Sequence, residues 1–311
     1  MSARPTPATP AHVVPRWQLI GGFLIIYVVW GSTYLAIKWA VETIPPFSLG
    51  AMRFLMAGGA LYAWSRWRGA PKPTFENWRA SAIVGVLLLF FANGGVSWAS
   101  QRVSSGIESV LVATVPLWLV VSEAWMGKRP QLTQLLGVLI GLVGVGLLVM
   151  PAHGAGGKAT AVDPIGALVL VLGSLSWTVG SLYSRTAPQS KSPSLAIAMQ
   201  MLVGGACLAL FAAATGNWAQ LAAGHPTTQS WLALGYLITF GSLIGFSTYM
   251  WLLTVASPAA VGTYAYVNPL VAVLLGVWLG GERLPTTAFL AMGIIVGGVA
   301  MVNVVGARKT R

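Results

Sequence analysis

The sequence predicts an all-α integral membrane protein, with ten transmembrane helices arranged as two inverted five-helix repeats around a central cavity. Three observations predict it. Of 311 residues, 56% are hydrophobic and only 8% charged, with a mean hydropathy of +0.76. A soluble domain carries about 25% charged residues, so too few charges remain here to coat a water-facing surface. The apolar residues fall into ten runs of about 20, the length a helix needs to cross a 30 Å hydrocarbon core. Landmark residues also recur along the chain at a displacement that drifts from 147 to 156. Together these exclude a secreted enzyme, a disordered chain and a disulfide scaffold. The single Cys207 can close no intramolecular disulfide.

In chain order, residues 1–16 are rich in Pro, Ala and Thr and read as a disordered cytoplasmic tail. They hold no apolar stretch of the kind a cleavable signal needs. The first repeat, 17–150, contains spans at 17–39, 46–66, 79–100, 106–126 and 131–150. A linker follows at 151–162. The second repeat, 163–306, contains spans at 163–185, 194–215, 230–251, 258–279 and 285–306, and 307–311 forms a second cytoplasmic tail. The segment 216–229 is too short and polar to span and reads as a loop with an interfacial turn. Membrane strands are excluded because they need only about 10 residues and strict alternation. No connection is long enough to hold a folded domain, so the chain acts within the bilayer.

The Lys and Arg residues set the orientation. With the N-terminus in the cytoplasm, 13 of them fall on the cytoplasmic side and three, Arg102, Lys158 and Arg283, on the other; Lys38 and Arg53 lie within or at the ends of spans. That bias places both termini inside, in agreement with an even number of spans. The +12 formal charge is therefore topological, and no nucleic-acid partner is expected.

The repeat is internal and ordered. Trp30, Lys38 and Pro46 recur as Trp177, Arg185 and Pro193, 147 residues on. Trp98, Pro116 and Trp125 recur as Trp251, Pro269 and Trp278 after 153, and Gly137 and Gly141 as Gly293 and Gly297 after 156. The offset grows only between spans, as loop insertions would make it. Five spans per half is odd, so the second half enters the membrane inverted. Inverted repeats are the architecture of many secondary transporters, with the substrate near the midplane at the repeat interface.

The elements WGSTY at 30–34, PLWLVVSEAWMGKRP at 116–130 with the Gly-rich span after it, and NPLVAVLLGVWLGGERL at 268–284 carry a resemblance. They resemble the drug/metabolite transporter superfamily, EamA branch, over residues 17–306, and within it the YddG/YedA type of bacterial inner-membrane exporter. The resemblance implies ten helices, cytoplasmic termini and export of small metabolites; for the YddG-like members it implies amino-acid export, aromatic ones included. The family's Gly-Glu-Arg element stands as Gly281-Glu282-Arg283, whereas the first half reads Gly127-Lys128-Arg129. An acidic residue present in one half only is read as capping a helix turn.

Pro116 and Pro269 fall near the middle of spans 4 and 9. Each removes a backbone donor and clashes with the carbonyl four residues back, Val112 and Ala265. Unsatisfied backbone at membrane depth is tolerated only against protein or a wet cavity, so both are read as gating kinks. Span 1 places Trp30, Thr33, Tyr34 and Ile37 on one face at i, i+3, i+4, i+7. Polar and aromatic residues gather likewise on spans 3, 6, 8 and 9. The substrate-cavity set is Trp30, Tyr34, Asn93, Ser97, Trp98, Trp177, Ser181, Ser242, Tyr249, Tyr264, Tyr266 and Asn268. Amides, hydroxyls and aromatic walls suit a small polar molecule with an apolar side chain. Trp17, Trp64, Trp67, Trp78, Trp218 and Trp231, near span ends, read as interfacial belt residues. The rows Gly137/Gly141 and Gly293/Gly297 are expected to let spans 5 and 10 approach their neighbours.

All six acidic residues fall in loops or near span ends, and all three His lie in the tail or loops. Proton-driven pumps commonly hold a carboxylate or His inside the membrane, so facilitated diffusion by alternating access is the expected mode. Proton-coupled drug or metabolite efflux is the alternative, with Glu108 and Glu123 the residual candidates. Arg53, about two turns into span 2, either attracts a substrate carboxylate or snorkels to the interface, the second being preferred. No catalytic residue, metal or cofactor is expected, and an intramembrane enzyme would need a nucleophile–base pair or metal cluster that these spans lack. The expected partners are the substrate and the lipid bilayer of a bacterial inner membrane, with the chain a monomer.

Overall fold

A computed structural model describes residues 15–127, 130–149, 162–256, 258–261, 263–282, 284 and 286–308, with only the backbone described at some of these, Glu123 and Tyr266 among them. Most of the expected N-terminal tail and of the linker, with Lys158, lie outside the described residues, as does Arg283, while Arg16 of the expected tail opens the first helix. Among the described residues the structure is all helix and turn.

Helix α1 (Arg16–Val41) starts just after Pro15, and α2 (Pro46–Trp67) starts on Pro46 itself. Proline is pre-organised for the first helical position, where its missing N–H costs nothing. Helix α3 (Phe75–Gly85) opens on a reciprocal cap, with Asn77 N donating to Thr74 Oγ1 at 3.2 Å and Thr74 N to Asn77 Oδ1 at 3.1 Å. It runs through a π-helical stretch, Val86–Asn93, into α4 (Gly94–Ala99). Then come α5 (Ser105–Val112), α6 (Val115–Trp125) and α7 (Leu132–Val149). Asp163 and Ser192 cap α8 (Pro164–Ser184) and α9 (Pro193–Ala214). The segment read as a loop carries a two-turn helix, α10 (Asn217–Ala223). Asn217 Oδ1 accepts from Phe47 N at 3.2 Å and Trp218 Nε1 donates to Ala209 O at 2.9 Å, which ties α10 back onto the bundle. Helix α11 (Thr228–Tyr236) passes through a second π-helical stretch, Leu237–Ile244, into α12 (Gly245–Val255). The chain ends with α13 (Pro258–Val261), α14 (Tyr264–Trp278) and α15 (Thr286–Arg308).

Six helical segments among the described residues are long and apolar enough to cross a membrane: Arg16–Val41, Phe75–Ala99, Ser105–Ser122, Pro164–Ser184, Pro193–Ala214 and Thr228–Tyr249. Leu132–Leu147, Val267–Trp278 and Thr286–Met301 are shorter apolar helices. Arg53 and Arg66 lie on α2, which is not among these nine.

Helix α2 packs most extensively against α9, and α7 against α15. Helix α1 lies against α14, α11, the 237–244 stretch and α12, while α8 lies against the 86–93 stretch, α4, α5 and α6; α14 also meets α5. Glycine makes two of these approaches close. A Cβ on Gly204 would lie 2.6 Å from Leu89 Cβ and 2.8 Å from Gly85 O, and one on Gly298 would lie 2.6 Å from Gly137 O. The second finding puts Gly137 and Gly141 at the close approach to α15 and corrects the row expected on α15 itself. Gly293 and Gly297 have nothing within 4 Å; the neighbouring residue, about 100° round the helix, is the one that faces α7.

The two π-helical stretches carry cross-bundle hydrogen bonds. Ser176 Oγ of α8 donates to Leu87 O at 2.8 Å, and Trp30 Nε1 of α1 donates to Gly241 O at 3.3 Å. Each stretch begins and ends 151 residues from its counterpart. Widened π turns inside α-helices are rare and are frequently found at functional sites.

Candidate functional site

A cavity of about 100 Å³ lies where α1, α2, the 86–93 stretch, α4, α5, α6, α8, α12 and α14 converge. That is room for a few water molecules. The face of α1 presents Trp30, Thr33, Tyr34 and Ile37 to it, as the i, i+3, i+4, i+7 spacing requires. Asn93 lines it at the end of the π-helical stretch, Trp177 and Ser174 from α8, and Tyr264, Asn268 and Pro269 from α14. Trp30 is the centre of an aromatic cluster, with ring centroids 5.4 Å from Phe246, 5.0 Å from Tyr249 and 5.2 Å from Tyr264. Its edge-on contacts with Phe246 and Tyr264 are the favoured arrangement for quadrupoles.

Of the sequence-derived set, the structure brings Trp30, Tyr34, Asn93, Trp177, Tyr264, Asn268 and Pro269 to this cavity. The side chain of Tyr266 lies outside the described residues. Six others are not on the wall, each for a visible reason. The Ser97 hydroxyl turns back to Asn93 O at 3.1 Å. Trp98 stands near the end of α4 with the Arg102 guanidinium 3.7 Å above its ring, and Arg102 in turn pairs with Asp163 at 3.6 Å. Ser181 is one turn further along α8, where its carbonyl accepts from Ser184 Oγ at 2.8 Å. Ser242 is fully buried behind the wall, accepting from Arg53 Nε at 2.9 Å. Tyr249 packs behind Trp30 and Tyr264. Pro116 is buried in the first turn of α6.

The two prolines act differently. Regular helix is interrupted by a turn at Ala113–Thr114 within the apolar segment Ser105–Ser122, and Pro116 stands in the first turn of α6 that follows. Pro269 is inside α14. Carbonyls at the break are partly taken up by Ser174 Oγ, 3.3 Å from Leu111 O and 3.5 Å from Val112 O.

The amides are half used. Asn93 Nδ2 donates to Leu88 O at 2.9 Å, and its oxygen has no partner among the described residues. With the Asn268 amide turned so that its nitrogen takes the place of its oxygen, that nitrogen donates to Tyr264 O and Tyr27 O, each at 3.2 Å.

Two charged groups depart from the sequence reading. Arg53 does not snorkel outward: it is 5% exposed and lines the cavity, with its guanidinium carbon 4.9 Å from the Phe54 ring centroid. Glu108 is 0% exposed, although it lies only one turn into α5. Its Oε2 accepts from Ser100 Oγ at 2.9 Å, and its Oε1 has no partner among the described residues. Nearby, Lys38 Nζ donates to Val103 O at 3.1 Å. The neighbouring Ser109 lines the cavity. Ser109 and Ser174 were missed because a lone Ser on an apolar helix most often bonds its own backbone, as both also do here.

Glu282 caps a helix, but not its own. Ser105 N donates to its Oε1 at 2.8 Å and Gly106 N to its Oε2 at 3.3 Å. It closes the N-terminus of α5, which has no side-chain cap of its own, from the loop after α14.

The EamA-like transporter family model matches residues 18–150 and again 164–304. The uncharacterized inner membrane transporter YedA of Escherichia coli (strain K12) is 40% identical over 288 residues, covering 92% of this chain and 90% of that protein. The uncharacterized transporter YvbV of Bacillus subtilis (strain 168) is 22% identical over 290 residues, covering 93% and 92%. A crystal structure of a protein 24% identical in sequence superposes with a TM-score of 0.63 over 96% of this chain and 100% of that one, which shows the fold alone. With both halves matched and apolar helices throughout, this chain belongs to the EamA-like transporter family of the drug/metabolite transporter superfamily, a multi-pass bacterial inner-membrane transporter and not an enzyme.

Proposed function

We propose that this transporter exports small zwitterionic metabolites, above all bulky and aromatic amino acids, from the cytoplasm by alternating access. The observation that carries it is the cavity, walled by aromatic rings and unpaired polar groups drawn from both halves of the chain. Two inverted five-helix repeats, ten spans in all and with both termini cytoplasmic, would place that cavity at their interface. The pairing of elements supports the repeat. Exchanging each helix with its counterpart in the other half leaves α2–α9 and α7–α15 unchanged, and turns the contacts of α1 with 237–244 and α14 into those of α8 with 86–93 and of α8 with α5 and α6. The shared 151-residue offset of the π-helical stretches supports it too.

In this mechanism the halves rock about the cavity, with the α5–α6 break and Pro269 as bending points. Solute binds between the Trp30 cluster and the amides of Asn93 and Asn268, crosses as the bundle reopens, and leaves down its gradient. No coupling ion is required, and a monomer contains the whole path.

A second reading, proton coupling, is favoured by one observation: Glu108, a carboxyl fully removed from water behind the cavity wall. Counterflow of a panel of labelled amino acids in proteoliposomes, with and without a pH gradient, tests both. A preference for bulky neutral amino acids and no response to the gradient supports passive export. Strict dependence on the gradient, lost in Glu108→Gln, supports the second reading. No saturable counterflow of any amino acid would refute amino-acid export.

A further inference from the structure

Arg53 is a cation that folding has buried at the cavity wall without an anion among the described residues. Its side chain is 5% exposed. Nε is satisfied by Ser242 Oγ at 2.9 Å, and the guanidinium stands 4.9 Å from the Phe54 ring centroid. Neither partner carries charge. The ion pair found among the described residues joins Arg102 to Asp163 instead. The hydrogen bond of Arg53 among the described residues is the one from Nε, and the two Nη groups, with four N–H donors, are not among the fully buried polar atoms, as befits a side chain on the cavity wall. Burial of an uncompensated ion costs several kcal/mol even after relaxation. A guanidinium remains charged at neutral pH, and among the described residues no carboxylate pairs with it, which leaves the charge open to an anion from the cavity.

The direction it comes from is set by the geometry. Arg53 lines the cavity, and the Ser242 bond fixes Nε, holding the planar fork in place. A fork with both outer nitrogens free matches a carboxylate in bidentate fashion. A phosphate dianion would want several cations, and Arg53 is the cationic side chain on the cavity wall. Across the same cavity, the unpartnered Asn93 oxygen offers an acceptor for an ammonium, and the faces of Trp30 and Trp177 offer both cation–π contact and an apolar wall.

We infer that Arg53 binds the carboxylate of the transported solute, so that the cavity selects organic acids and amino acids and rejects their amides, esters and decarboxylated amines. The inference rests on the cavity being the transport site. It turns a preference for zwitterions, reached above from wall chemistry, into a requirement for one functional group at one residue.

The test begins with the unaltered protein. Counterflow of labelled phenylalanine in proteoliposomes is challenged with unlabelled phenylalanine, phenylpyruvate and phenylalaninamide. The two carboxylates are expected to compete and the amide to do so about 10- to 100-fold less well, the value of hydrogen bonds to a charged group. Thermal stabilisation of the detergent-solubilised protein by the same three compounds measures binding independently of transport. Arg53→Gln is expected to abolish the discrimination between acid and amide, and Arg53→Lys to keep part of it as a point charge. Equal competition and equal stabilisation by acid and amide would overturn the inference, with or without transport. Carboxylate-specific stabilisation without counterflow would uphold Arg53 and remove the export reading. Counterflow indifferent to the carboxylate would do the reverse. If Arg53→Gln does not yield folded protein, the competition and stabilisation series on the unaltered chain decides the matter alone.

Discussion

Removing Glu282 should loosen the chain far from where the residue is attached. Its carboxylate accepts from two backbone N–H groups at the start of α5, at 2.8 and 3.3 Å, and α5 has no other side-chain cap at that end. Hydrogen bonds to a charged acceptor contribute about 1.5–3 kcal/mol each. The longer bond and the partial exposure of Glu282 reduce the pair to about 2 kcal/mol, at the upper end of measured N-cap values. That is about 30-fold in an equilibrium constant. Glu282→Gln keeps one neutral acceptor and turns an amide N–H₂ toward a second donor, so it should lose about half, or roughly 5-fold. The assay is the rate of irreversible opening in detergent at fixed temperature, read by a thiol-reactive dye on Cys207, the single cysteine, which is partly buried in α9. A cap that breaks on the way to the opening barrier acts on the unfolding rate, so Glu282→Ala should react about 30-fold faster than the unaltered chain. Rates within about twofold for both variants would refute the assignment of Glu282 as the α5 cap.

Trp30→Ala should abolish counterflow and destabilise by about 3–5 kcal/mol, the range for emptying a buried aromatic site. Trp30→Phe keeps the ring contacts but loses the bond to Gly241 O, a loss of about 0.5–1.5 kcal/mol. Trp98→Ala, whose ring lies under Arg102 and off the cavity, should leave counterflow within about twofold and serves as the contrast. Gly204→Val forces side-chain carbon into Leu89 and the Gly85 carbonyl and should cost about 1–3 kcal/mol or more, seen as loss of monodisperse protein on size exclusion. Gly59→Ala, with nothing within 4 Å, should be neutral there. On a Cys207→Ala background, Lys191→Cys should react with an impermeant maleimide only from the cytoplasmic side and Gln101→Cys only from the opposite side. The reverse pattern would overturn the orientation drawn from the Lys/Arg bias.

The helical membrane architecture was legible because it follows from quantities that add along the chain: run length, charge count and repeat offset. The α1 wall was legible for the same reason, since four residues at helical spacing must share a face. Trp98 shows where such reasoning stops. The repeat relates it to Trp251 but does not say which way either ring points, and Arg102, four residues on, claims it. Arg53 and Glu108 escape such reasoning because distance from a span end is not distance from water. Whether a residue one or two turns into a helix is wet depends on which neighbours cover it: Ser242, which holds Arg53, is 189 residues away in sequence, and the helix of Glu108 is covered by α1, α8 and α14. The π-helical stretches left no trace, since VLLLFFAN and LITFGSLI read as ordinary apolar helix. Gly298 was missed by one position, which on a helix is more than a quarter turn.

The two proline sites differ in where regular helix resumes ahead of them. In the first half α5 ends at Val112 and α6 begins at Val115, so Pro116 stands in a first turn; in the second half α13 ends at Val261 and α14 begins at Tyr264, so Pro269 stands deeper inside its helix. A proline in a first turn takes the place of a donor that has no partner there, whereas one further in removes a bond from the ladder. A duplicated ancestry has therefore not left the molecule with interchangeable ends, and exchanging the two prolines for alanine one at a time should perturb it unequally.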